Sequence, residues 1–188
     1  VFMACATIHL AIAKKFLEKN TDINRDDFIA GTLYPDADLD NDSTHYTDKN
    51  RGSDNVSHVR GKVNLYAFLL EHESLNAFEL GWFLHLVTDY LFFEECFTES
   101  YLLSVTYEEF CKELYHAYYC VNLYLEEKYK LDRERYYKAY PNAYYPGIPY
   151  EDCLLSKETV DNFIDLVDKI DIDKYIEKIK EKKINVKP

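Results

Sequence analysis

The stretch Leu80-Gly81-Trp82-Phe83-Leu84-His85-Leu86-Val87-Thr88-Asp89 limits the possible folds more than any other part of the chain. Helical spacing sets His85 and Asp89 four residues apart, so both project from one face, with Trp82 and Phe92 beside them. Almost everything else around that helix is apolar, which predicts the middle of a bundle, with Phe78, Trp82, His85 and Phe92 buried and Glu79 exposed on one side. A carboxylate in such a place has to be paired, hydrogen-bonded or bound to a metal ion. Two readings follow: a His-Asp hydrogen bond that ties core helices together, or an imidazole and a carboxylate that share one cation.

The rest of the chain predicts an all-α, multi-helix bundle with one long acidic loop. Only 5 Gly and 5 Pro among 188 residues leave little material for a turn-rich β architecture. The length suits a single domain, residues 1–188, with a sizeable core. Residues 3–19 read as a helix, because Cys5, Ile8, His9, Ile12 and Phe16 recur at helical spacing. A short second helix begins at Asn24 or Asp26 and is expected to end in a left-handed cap at Gly31. Pro35 should hold Tyr34 extended and stop any helix, so that Asp36 opens an irregular segment reaching Arg60. A helix over 61–72 follows, and Ser74 is the expected cap of the central helix, which runs from Leu75 toward Cys96. After a break at Thr98–Ser100, a long helix covers 106–129, and the tyrosine- and proline-rich segment 136–150 reads as an ordered loop or lid. Ser156 and Asp171 cap the last two helices. His72, between Glu71 and Glu73, is expected at the surface.

Charge and cysteine content narrow the function classes. A formal net charge of -12 argues against binding a nucleic-acid duplex, which needs a basic surface. The 5 cysteines form no CxxC pair and are odd in number, which predicts reduced thiols and a cytoplasmic location. The apolar run near the amino terminus is interrupted by Lys14 and Lys15, so neither a transmembrane segment nor a signal peptide is expected. Oligomeric state is not legible in the sequence.

Polar residues in apolar or irregular surroundings are the candidates for chemistry. His9 sits on or beside an apolar stripe, as a satisfied core histidine or as a ligand. The segment from Asp36 to Arg60 carries Asp38, Asp40, Asp42, His45, Asp48, Asp54 and His58 with little apolar content. It is either a solvated acidic loop or one that delivers Asp36 and a histidine to a metal ion. Glu113 and His116, three apart, suit either a wet helix face or a shared cation. A set made of His9, Asp36, His45 or His58, His85 and Asp89 suits zinc, with manganese or iron as other options, and the lack of a thiolate cluster argues against a zinc finger. Water activated by such ions can attack a phosphorus ester.

The ordered segments ATIHLAIA, GTLYPD, STHY and GWFLHLVTD, spread over roughly the first half of the chain, resemble the zinc-dependent phospholipase C family of bacteria, whose fold is shared with single-strand-specific nucleases. The resemblance implies that Asp36, His45, His85 and Asp89 hold one zinc, with Asp89 reaching a second ion that His9 binds. His45 is preferred to His58 because Thr44 and Tyr46 flank it as in the family. One to three ions are implied; Glu95 and Glu113 lie where further ligands are expected, and His58, Glu109 and His116 are additional candidates. The expected function is a metal-dependent phosphodiesterase acting on a small phosphate ester, with Asp38 or Glu95 as proton acceptor. The alternative is a non-catalytic helical binding protein in which the same residues form a structural metal site or a hydrogen-bonded core. A nucleotide phosphohydrolase of the His-Asp type would need an adjacent His-Asp dipeptide, which the sequence lacks.

Overall fold

A computed structural model of the chain describes residues 4–47, 56, 59–60, 63–139 and 146–188. Among these residues the regular structure is helical, apart from one antiparallel bridge between Thr47 and Val63. In chain order the helices are α1 (Ala6–Lys19), α2 (Arg25–Ala37), the single-turn α3 (Asn41–Thr44), α4 (Leu65–Glu71) and α5 (Ala77–Glu95). They are followed by α6 (Glu99–Ser104), α7 (Tyr107–Tyr129), α8 (Arg133–Ala139), α9 (Lys157–Asp168) and α10 (Ile172–Lys182). The architecture is the all-α bundle that the sequence predicts. Among the described residues no helix is long and apolar enough to cross a membrane.

Short polar side chains start the helices by accepting the amide hydrogens that a first turn leaves unpaired. Asn24 takes those of Asp26 and Asp27, Ser156 that of Thr159, and Asp171 that of Lys174. The central helix α5 starts at Asn76 rather than at Ser74, because Asn76 and Glu79 close a reciprocal capping box that serine two residues earlier cannot form. Along α5, Phe83, Leu84, Leu86, Val87, Leu91, Phe92 and Phe93 are all buried, so its middle lies inside the bundle, while Glu79 is partly buried and Glu95 exposed. Phe78 and Trp82 are only partly buried. Edge-to-face ring contacts join α5 to its neighbours: Phe92 meets Phe163 of α9 at 5.4 Å, and Phe97 meets Phe110 of α7 at the same separation. His72 departs from its expected surface position. It is half-buried, stacked on Phe68, and shares its Nδ1 with Glu79 at 3.0 Å.

Two departures from the sequence expectation position the functional site. Gly31 is no left-handed cap but an interior residue of α2, and a Cβ there would overlap the Phe78 carbonyl oxygen of α5. Gly81 answers it from α5, where a Cβ would overlap the Phe28 carbonyl oxygen. The paired glycines let the two backbones cross in direct contact. Furthermore, α2 runs through Pro35 to Ala37, so Asp36 lies in its last turn instead of opening a loop. Proline removes a rung of the helical ladder and crowds the carbonyls one turn back, and near the end of a helix that cost is small. The irregular segment is shorter than expected because α3 orders part of it. Asp48, Asp54 and His58 lie outside the described residues.

The segment expected as a lid is partly helical, since α8 takes residues 133–139. Residues 146–155 carry no helix or strand and run against α7. There the Ile148 amide donates to the Tyr119 carbonyl at 3.0 Å, and a Cβ on Gly147 would press on Leu123. Helix α6 also occupies part of the break expected at Thr98–Ser100, with Thr98 as its cap.

Candidate metal centre

α1, α2, α5 and the turn after α3 each send polar side chains to one buried point beside the α2–α5 crossing. His9, His45, His85 and Asp89 have no exposed side-chain surface, while Asp36 is 18% exposed. The two groups that meet metal-ligand spacing here are His9, Asp36 and His85, and His45, His85 and Asp89. All five residues marked as ligands by the sequence are thus brought together.

Backbone carbonyls fix the imidazole tautomers, because a carbonyl can only accept. His85 Nδ1 lies 2.8 Å from the Thr32 carbonyl, so Nδ1 carries the hydrogen and Nε2 keeps its lone pair. His9 Nε2 contacts the Ala4 carbonyl at 3.1 Å and Asp89 Oδ1 at 3.3 Å, and therefore carries the hydrogen. Its Nδ1 is buried with a bare lone pair and no hydrogen-bond partner. The His9 and His85 rings stack at 3.6 Å with 10° between their planes.

Around His85 Nε2 the donors converge. Asp89 Oδ2 lies 3.0 Å away, His45 Nε2 3.0 Å and Asp36 Oδ1 3.9 Å. His45 Nε2 stands 3.6 Å from Asp89 Oδ2 and 3.5 Å from Asp36 Oδ1. In spite of the 3.0 Å approach of His85 Nε2, Asp89 Oδ2 has no hydrogen-bond partner. Asp89 Oδ1 is the satisfied oxygen, accepting the Ala4 amide at 2.9 Å. Burial alone would raise both carboxylate pKa values, but the imidazoles of His85, His9 and, for Asp36, His45 outweigh it. Asp36 and Asp89 are both held below the usual carboxylate range, Asp89 far below.

Bonds of about 2.0–2.2 Å from a tetrahedral zinc to nitrogen and oxygen place neighbouring donors about 3.3–3.5 Å apart. The spacings found here bracket that value. A bare imidazole nitrogen, an unpaired carboxylate oxygen and an ionised second carboxylate form a set that one or two divalent ions would satisfy.

The proton acceptors expected from sequence are placed differently. Asp38 caps the end of α2, and its carboxylate accepts the Asp40 amide at 2.8 Å. Glu95 lies almost two turns beyond Asp89, near Lys187 at 3.7 Å, and is not among the converging groups. Glu109 closes the capping box of α7, Glu113 accepts from the Tyr101 hydroxyl at 2.6 Å, and His116 pairs with Glu151 at 2.9 Å, so none of the three joins this cluster.

Other contributors were missed. The Thr32 carbonyl orients His85. Tyr118 of α7 is buried facing Cys5, Asp89 and Asp36, and burial first, then those groups, push its pKa well above the usual value. Asn122, one turn on, accepts from Thr7 and Cys5 and steadies the start of α1. A polar residue four positions after a tyrosine beside an apolar stripe was the available signal for the pair. Alongside the centre runs a cleft of about 630 Å³ whose lining includes Tyr34, Thr44, Tyr46, Asn64, Glu71 and Trp82. Comparison with models of protein families, with characterised proteins and with solved structures finds no match for the chain.

Proposed function

We propose that this chain is a zinc-dependent hydrolase of small phosphate esters, of the kind its resemblance to bacterial phospholipase C implies, with His9, Asp36, His45, His85 and Asp89 holding the metal. One observation carries the reading: Asp89 Oδ2 is buried, ionised and without a hydrogen-bond partner, although His85 Nε2 stands 3.0 Å and His45 Nε2 3.6 Å from it. A buried carboxylate oxygen left so costs several kcal/mol unless a cation lies beside it, on the order of 3–5 kcal/mol for a broken buried pair.

When bound, zinc or a comparable divalent ion would polarise a water and the phosphoryl oxygens of a substrate. Asp36, the one member of the set open to solvent, stays ionised and is placed to hold the ion and orient an attacking water. His85 is locked by the Thr32 carbonyl so that Nε2 points inward throughout. Tyr118, kept as a neutral phenol, can donate to a phosphoryl oxygen. Acidic composition disfavours long polyanions and leaves small esters as the fitting class.

A second reading, a fastening that binds no substrate, has its own support. Four of the five side chains have no exposed surface, and His45 Nε2 lies within hydrogen-bond distance of His85 Nε2. The two are separated by assaying the purified, zinc-supplemented protein on a chromogenic phosphodiester. Turnover that is lost in Asp36→Asn, with zinc still bound, supports the hydrolase. Bound zinc without turnover overturns it in favour of the fastening.

A further inference from the structure

α7 gathers a different set of ligating atoms on another of its faces. His116 Nε2 stands 2.9 Å from Glu151 Oε1 and 3.7 Å from Cys120 Sγ, and the three ligand atoms lie within 4.8 Å of one another. Cys153, two residues after Glu151, donates its thiol to the Leu155 carbonyl at 3.2 Å and neighbours Cys120 without belonging to the group of three. His116 and Cys120 are four apart and so share one face of α7, away from the Tyr118 and Asn122 face that looks to the central cluster. Glu151 and Cys153 come from the 146–155 segment, which the Ile148 amide and the close approach of Gly147 already pin to the same helix.

We propose that His116, Cys120 and Glu151 form a separate metal site that takes one divalent ion of the zinc class and staples the 146–155 segment to α7, with the Cys153 thiol leaving the Leu155 carbonyl to complete it. Two sulfurs, one imidazole and one carboxylate make a four-donor set too soft for magnesium or calcium and suited to zinc. In a tetrahedral zinc site the sulfur and nitrogen donors stand about 3.5 Å apart, close to the Cys120–His116 spacing. The His116–Glu151 contact has to open slightly, and Glu151, with 61% of its side chain exposed, has room to do so. An ion reaches the site through a cleft of about 430 Å³ lined by Glu113, His116, Asp152 and Cys153, among others. A reactive-thiol role fits less well, since burial, and secondarily Cys120, push the Cys153 pKa up to about 11. The site shares no residue with the central cluster and stands or falls independently of the proposed hydrolase.

Cobalt(II) titration of the full chain, reduced with a thiol-free reductant, tests the proposal, because only a thiolate-ligated cobalt gives the intense near-ultraviolet charge-transfer band. Asp89→Asn protein is used, so that a central site adds nothing. One equivalent of cobalt should develop the band and zinc should bleach it. Cys153→Ser, on the half-buried segment, should cut the band to that of one thiolate, and Cys120→Ser with Cys153→Ser should abolish it. His116→Ala should weaken binding about tenfold or more. A folded protein that shows no thiolate band, or one whose band survives Cys153→Ser at full strength, overturns the site. The same holds if zinc leaves proteolysis of residues 146–155 unslowed.

Discussion

The central cluster and the α7 cluster assemble similar donors under opposite conditions. His9, His45, His85 and Asp89 have no exposed side-chain surface, whereas His116 and Glu151 are 47% and 61% exposed. At the first, no water can replace a missing partner, so the orphaned Asp89 oxygen bears on the stability of the whole bundle. At the second, solvent can stand in for an ion, and only the attachment of one segment is at stake. The donor types differ in the same sense: carboxylates and imidazoles inside, with two thiols added at the rim.

Asp89→Ala would strain this contrast hardest. It strips the buried cluster of its charge, and urea unfolding should show a loss of about 3–5 kcal/mol, against little change for His116→Ala. Equal effects would erase the distinction between the two sites. Next in size, Gly81→Ala forces a methyl group into the Phe28 carbonyl and pushes α2 away from α5, costing about 1–3 kcal/mol or more. Zinc content of the central site should fall with it, because Asp36 and the Thr32 carbonyl ride on α2. Gly147→Ala should cost roughly 1 kcal/mol, speed proteolysis of residues 146–155 and leave the central site's metal content unchanged.

The smallest effect belongs to Glu79, whose pKa is lowered first by the Asn76 amide and then by His72. Its folded pKa lies below the unfolded value of about 4.3, so its contribution is complete above that pH and fades as pH falls through it. Glu79→Gln should therefore cost about 0.5 kcal/mol near neutrality and less as pH falls toward the folded pKa, measured by thermal melts across that range.

Much of this was legible in the sequence because it repeats at helical spacing. An apolar helix interrupted only by His85 and Asp89 identifies both the middle of the bundle and a polar pair that needs partners there. His9 on an apolar stripe and His45 beside Thr44 complete the set. What stayed hidden depends on contacts across the chain. Pro35 reads as a helix stop until α2 is found to run through it to Ala37. Gly31 reads as a cap until α5 is found lying against it. Tyr118 is one tyrosine among 18, and nothing local sets it apart. Glu151 and Cys153 meet His116 and Cys120 from a segment without periodicity, where spacing carries no signal.

Metal content of the Cys120→Ser/Cys153→Ser protein, purified without chelator and compared with the same protein carrying Asp89→Asn, addresses the central claim most directly. At least one equivalent of zinc or a comparable ion per chain, lost on Asp89→Asn, is the predicted result. No bound ion in the folded protein, or an ion that remains after Asp89→Asn, would contradict it.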